Sequence, residues 1–469
     1  MDDRLKRRAL LGVMLAVFLA ALESTVVATA MPIVVRSLGG LEIYAWVFAG
    51  FLLTSTVTMP LWGRLSDLFG RRRTILVGMV IFLIGSALSG LSRDMMQLIV
   101  FRMLQGLGAG SLMTLGMTIV ADLFGLERRA KMQGYISGMW GLASLLGPLV
   151  GGLLTDHVSW RWVFYINLPF GAIAMVLLAS ALRTEPAPAR RPVIDYAGLA
   201  LFTTGISALL YGVSLGGIRG FMTPMTVGPL ALALAALVVF IAVERRAAEP
   251  IVPLRLFGHR MFVAAVATGF LSGTAMFGAL SFVPLFLQGV LGASATGTGL
   301  VLVPFVFGWV LMSIVSARLV LKIGYRIVVL AGMVSLTLSF LLLARWNAEL
   351  TMLSAIRDAT LGGIGMGLTM VPMLIAVQSA VPRSDLGVAT SLTQFFRSVG
   401  GAVGVAVMGA VKAQRLEAGI PLEGALHSVF VVGLVVCVVA LGAAFLVPAG
   451  RARDLARPEL RSEPTRVGG

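Results

Sequence analysis

The chain has 469 residues, 58% of them hydrophobic and 12% charged, with a formal net charge of +16. Soluble domains are about 45–50% apolar and about 25% charged, so this balance excludes an ordinary soluble protein and indicates a polytopic membrane protein. A basic excess of this size suggests nucleic acid in a soluble chain, but here it sorts by loop, which argues against nucleic-acid binding.

Fourteen apolar runs follow, near 9–31, 44–62, 74–92, 97–120, 132–154, 162–182, 194–215, 224–243, 261–289, 298–317, 326–344, 350–377, 386–411 and 427–447. Crossing a bilayer takes about 20 such residues. With the N-terminus inside, the cytoplasmic segments carry 27 Lys and Arg and the outer loops 7, while Arg102, Arg357 and Arg397 lie within spans. That asymmetry is the positive-inside pattern, and it puts both termini in the cytoplasm. The opening MDDRLKRRAL has no evident cleavage site, so the first span is expected to be retained. Residues 450–469 are rich in Arg, Pro and Glu and read as a disordered cytoplasmic tail.

The first span contains a carboxylate, Glu23, in a stretch from Ala9 to Met31 otherwise free of charge. An acid at that depth costs roughly 2.5–3.5 kcal/mol on insertion scales, so it marks a place used by a proton, ion or substrate. Counting 15 residues from Arg8 at 1.5 Å each puts Glu23 about 22 Å along its helix, past the midplane. Cys437 sits in the last span and reads as a small buried hydrophobe. His157, His259 and His427 form no ligand-spaced cluster, and no GxxxxGK[ST] occurs. Neither a metal, another cofactor nor ATP hydrolysis by the chain is expected.

The chain repeats itself at an offset of about 254 residues. Gly63–Arg72 falls on Ala317–Arg326, Arg102 near Arg357, and Gly106, Gly108 and Gly110 on Gly363, Gly365 and Gly367. Pro32 matches Pro284, and Gly147 falls on Gly400. Spans 1–6 and 9–14 are the repeats, and spans 7 and 8 are inserted between them. The expected divisions are 1–183, 184–255 with the inserted pair, 256–449 and the tail at 450–469. Parallel repeats with a site at the midplane between them are a transporter plan.

The motifs carry a resemblance across roughly residues 9–447. LESTVVATAMP (Leu22–Pro32), GRLSDLFGRRR (Gly63–Arg73), FRMLQGLGAG (Phe101–Gly110), GLASLLGPLVGG (Gly141–Gly152), WRWVFYINLPFG (Trp160–Gly171) and SLTQFFRSVGGAVGVAVMGAV (Ser391–Val411) occur in this order. In combination they resemble the major facilitator superfamily, and within it the 14-helix drug:proton antiporter branch, whose first motif usually has Asp where this chain has Glu23. The resemblance implies an all-α fold of two six-helix halves plus two inserted helices. It also implies proton-coupled export of amphipathic, often cationic, compounds by alternating access, from a monomer in the inner or plasma membrane. Export of one physiological substrate, such as a lipid, a siderophore or the host's own antibiotic, fits the same residues. An intramembrane enzyme would need a His/Asp or metal-ligand cluster at membrane depth, which the histidine placement disfavours.

Glu23 is the expected proton carrier, because its neutral form crosses an occluded state cheaply and its ionised form pairs with a cation. Arg102 either snorkels to the outer interface or, as the resemblance implies, faces the interior and assists coupling, and Gln105 is close enough in sequence to share its polar patch. In the 63–73 loop, Gly63 and Gly70 permit a tight turn and close helix approach. Asp67 can accept from a neighbouring helix N-terminus or pair with an arginine, as a gating latch, while Arg71, Arg72 and Arg73 face anionic headgroups. Leu321 in the second repeat makes any such latch one-sided. Gly147-Pro148 offers a kink and a close helix contact. Arg357 and Asp358 are adjacent, so they point to different helix faces and need not pair. Gln105, Trp140, Phe277, Gln394 and Arg397 are substrate-cavity candidates, with Arg397 lining the interior or anchored on carbonyls.

Overall fold

A computed structural model describes residues 2–40, 43, 46–183, 195–247 and 249–450, without the side chains at 24, 28, 32, 144, 145, 148, 295 and 296. The expected tail, apart from Gly450, lies outside the described residues, as does part of the link at 184–194. The described residues form fourteen long helices. They are α1 (Asp3–Leu38), α2 (Trp46–Phe69), α3 (Arg71–Leu91), α4 (Met95–Leu123), α5 (Leu126–His157), α6 (Trp162–Ala181) and α7 (Tyr196–Arg219). Then follow α8 (Pro224–Glu244), α9 (Arg260–Gly289), α10 (Ala295–Ile323), α11 (Tyr325–Leu343), α12 (Met352–Ala380), α13 (Leu386–Glu417) and α14 (Leu422–Ala444). Helices suit lipid because every backbone donor is satisfied within the segment. Side-chain caps close exposed starts: Asp94 accepts from Gln97 N at 2.8 Å before α4, and Ser294 from Gly297 N at 3.0 Å before α10.

Thirteen helices among the described residues are long and apolar enough to cross a membrane. The remaining expected span, near 132–154, lies in α5, which is 32 residues long and holds three of the undescribed side chains.

The chain falls into two compact units. Unit 1 holds the chain up to Phe124, Tyr135–Asp195 and Arg383–Leu392; unit 2 holds Gly125–Gly134, Tyr196–Pro382 and the chain from Thr393 onward. The repeated landmarks have the same structural use inside each. Gly70 ahead of α3 and Gly324 ahead of α11 adopt φ of +88° and +85°, a conformation costly for any residue with a Cβ. In unit 1, a Cβ on Gly106 or Gly110 would stand 2.5–2.6 Å from the carbonyl oxygens of Phe51 and Ser55 on α2. One on Gly108 would stand 2.5 Å from Gly78 O on α3. In unit 2, Gly363 and Gly367 face Phe305 and Met312 on α10, and Gly365 faces Gly332 on α11. The alternating glycines thus let one central helix, α4 or α12, pack on two neighbours at backbone distance.

The α7–α8 pair belongs to unit 2. Phe202 of α7 meets Phe240 of α8 at 5.3 Å and Phe395 of α13 at 5.4 Å between ring centroids. Only 22% of the most apolar stretch of α8 is buried, the lowest share among the thirteen spans.

Candidate functional site

Four helices of unit 1 converge on Glu23. Arg102 and Gln105 stand one turn apart on α4, so they share a face. The guanidinium of Arg102 donates through Nη1 to Glu23 Oε1, and also to Gln105 Oε1 at 2.8 Å. Its Nε reaches the carbonyl of Val47 at 3.3 Å, and the ring of Phe51 lies 4.1 Å from its Cζ. Asn167 of α6 donates from Nδ2 to Glu23 Oε2 at 2.5 Å and to Ser86 Oγ of α3 at 2.9 Å. Ser86 also accepts from Gln105 Nε2 at 3.1 Å and donates to the carbonyl of Phe164 at 2.9 Å. Glu23, Gln105, Ser86 and Asn167 are 0% exposed and Arg102 is 1% exposed, which rules out snorkelling. Gly85 makes the cluster possible, because a Cβ there would stand 2.5 Å from the backbone of Gln105 and hold α3 off α4.

The cluster holds one carboxylate, already paired with Arg102, and so offers no net negative charge to a metal cation, but that carboxylate can hold a proton. Both Glu23 oxygens accept N–H donors. The carbonyl Oδ1 of Asn167 is buried without a partner. Gln105, read from sequence both as a cavity candidate and as sharing the polar patch of Arg102, lies in this network. Sequence reasoning missed Asn167 and Ser86. Asn167 had a usable signal, an amide within the apolar run of WRWVFYINLPFG, whereas a serine in a span is too common to stand out.

Two residues beyond Glu23, α1 meets α5. A Cβ on Gly147 would stand 2.8 Å from Thr25 Cβ, and one on Gly151 would stand 2.6 Å from Val26 O. Thr25 Oγ1 donates across the contact to Ala143 O at 3.3 Å. The side chain of Pro148 lies outside the described residues. Trp140 packs, partly buried, against the apolar cluster around Val26, Val27 and Phe164.

The 63–73 loop forms a second polar cluster in unit 1. Asp67 accepts from the backbone N–H groups of Gly387 and Val388, both at 2.9 Å, in the first turn of α13. It also pairs with Arg71 at 2.6 Å. Both partners expected of this carboxylate are therefore present at once, and the positive end of a helix adds to them. Gly63 brings the chains together, since a Cβ there would stand 2.6 Å from Gly387 O. The arginines depart from expectation. Arg71 is held inside by Asp67, by Ser66 Oγ at 2.5 Å and by Asp122 at 2.7 Å, and Arg72 Nε donates to Ala179 O at 3.1 Å. Of the three, only Arg73 is exposed. A buried acid draws the nearest guanidinium inward, which a loop-charge rule does not register.

In unit 2, Arg357 and Asp358 do pair, at 2.8 Å, contrary to the reading from helix faces. The exposed, flexible arginine bends back along the helix to a carboxylate that also accepts from Trp346 Nε1 at 3.0 Å. Phe277 lies against Gly401 of α13, where a Cβ would run into its ring. Gln394 is 6% exposed and Arg397 partly buried one turn further along α13.

A profile of the Major Facilitator Superfamily matches residues 13–405 and 265–466. Multidrug transporter protein MdtP of Bacillus subtilis (strain 168) is 41% identical over 419 residues, covering 88% of this chain and 77% of that protein. Multidrug resistance protein 3 of the same organism is 35% identical over 403 residues, covering 86% and 78%. The proton:xylose symporter XylE matches with a TM-score of 0.69 over 96% of this chain and 98% of that one, at 15% identity, a likeness of fold alone. With its helical spans and these matches, the chain is a multi-pass membrane protein that belongs to the major facilitator superfamily.

Proposed function

We propose that the protein is an efflux transporter that exports amphipathic, often cationic, compounds in exchange for protons by alternating access, as a monomer with both termini in the cytoplasm. The names of its two bacterial relatives support export of several compounds. The observation that carries proton exchange is the enclosed pair of Glu23 and Arg102 at membrane depth. Ionised Glu23 is held by Arg102 and Asn167. Protonation removes the charge, dissolves the ion pair and leaves Arg102 to repel a cationic compound, so proton and compound exclude each other. Each then leaves on the side where the other arrives. The first test is a susceptibility panel in a host stripped of its own efflux pumps, with and without a protonophore. Resistance to several unrelated amphiphiles that the protonophore abolishes is expected; resistance that survives it would remove proton coupling.

In this reading Asn167 serves Glu23 in both charge states. Its Nδ2 donates to the carboxylate, and the unpartnered Oδ1, brought round by rotation of the amide, accepts from the carboxylic acid. Asn167→Leu keeps the bulk and removes both functions. A hydrogen bond to a charged group contributes about 1.5–3 kcal/mol, so gradient-driven export in proteoliposomes should fall at least about tenfold. The infrared carbonyl band of protonated Glu23, identified by its loss in Glu23→Gln, should shift as its O–H loses an acceptor. An unshifted band with export at the parent rate would leave Asn167 a packing residue.

A further inference from the structure

Arg397 stands apart from the other arginines at membrane depth. Arg102 has Glu23 and Arg357 has Asp358, whereas Arg397 has no carboxylate partner among the described residues. Its Nε is buried without a hydrogen-bond acceptor, and its Nη1 has only the thioether sulfur of Met370, at 3.5 Å. A guanidinium stays charged at any working pH, so the site lacks a negative charge that a bound compound can bring.

Position limits where that charge originates. Arg397 lies 11 residues into α13, about 16 Å along the helix, near the middle of a hydrocarbon layer about 30 Å thick. A lipid phosphate sits at the surface of that layer. The side chain also turns inward, toward Met370 on α12, the most buried of the thirteen spans at 72%. On its flank, a Cβ at Gly273 of α9 would stand 2.9 Å from Arg397 Cγ, so α9 walls the stem. Gln394, one turn earlier and 6% exposed, adds an uncommitted amide on the same face.

We infer that Arg397, with Gln394 beside it, binds an acidic group on the transported compound, so that the protein accepts amphipathic carboxylates and zwitterions as well as cations. A carboxylate takes the guanidinium fork with two parallel hydrogen bonds and keeps a second lone pair on each oxygen for the Gln394 amide. This inference rests on the efflux reading and narrows its substrate class.

Rhodamine 110, which bears a free carboxylate, and rhodamine 123, its methyl ester, provide a matched pair for proteoliposomes of the full-length protein. The parent should transport both. Arg397→Gln should lower the ratio of acid to ester transport at least about tenfold, the loss of one charged hydrogen-bonded contact. Arg397→Lys, which keeps the charge but not the fork, should fall between. An unchanged ratio in both variants, or a parent that moves the ester and not the acid, overturns the inference and leaves the efflux reading standing. A parent that moves neither compound overturns both.

Discussion

Glu23→Gln is expected to reduce pH-gradient-driven export by the purified protein in liposomes to the level of protein-free vesicles. The substitution keeps the shape and the acceptor for Arg102 while fixing the neutral state, so no proton is taken up or released. Asn167, which now donates to Oε2, can turn its free Oδ1 to the new amide. The change also leaves Arg102 without its counter-charge, and breaking a buried pair costs about 3–5 kcal/mol. The amount of protein in the membrane therefore has to be measured, with Glu23→Gln combined with Arg102→Gln as a variant that removes the orphan charge. Neither should export against a gradient, and compound counterflow without a gradient should persist in at least the double variant. Glu23→Asp keeps the charge but shortens the reach to Arg102 and Asn167, so it should retain part of the rate. Export by Glu23→Gln at the parent rate would place proton coupling elsewhere, with the carboxylate of Asp358 the next to substitute.

Asp67→Asn is expected to lower export at least about tenfold with normal amounts of protein in the membrane. The carboxylate accepts from Gly387 N, Val388 N and Arg71 Nη1 together. An amide has one acceptor oxygen, so at least one backbone N–H then faces an NH₂ group and Arg71 loses a charge partner. At about 1.5–3 kcal/mol for each charge-assisted bond, the state in which Asp67 holds α13 loses its advantage over the alternative. Arg71 retains Asp122, which keeps the loop folded. A transporter must visit both states, so removing the latch traps it rather than speeding it. Parent-level export in Asp67→Asn would reduce the loop to a charge signal for topology.

The spans, the repeat and the acids Glu23 and Asp67 were legible from the chain because each breaks or keeps a local pattern. Glu23 interrupts an apolar run, and the glycines of α4 and α12 recur at one spacing in both repeats. What stayed hidden depends on partners distant in sequence. Arg71 reaches Asp122 across 51 positions, and Asn167 reaches Glu23 across 144. No periodicity encodes such meetings; they follow from how the helices cross. Spacing put Gln105 beside Arg102, where it lies, without showing that Ser86 and Gly85 enclose it. The pairing of Arg357 with Asp358 escaped for another reason. Helix-face geometry constrains Cβ directions, whereas a long exposed side chain can fold back over its own turn.

The central claim, that a proton and a compound compete through Glu23, is tested most directly by proton release. Purified protein in detergent and weak buffer receives a saturating cationic compound, with binding followed by tryptophan fluorescence and pH by an indicator dye. The parent should release protons in proportion to compound bound, and Glu23→Gln combined with Arg102→Gln, which lacks both the carboxylate and the orphan charge, should bind without releasing any. Parent protein that binds the compound with no proton release, or a double variant that releases as many protons as the parent, would contradict the account.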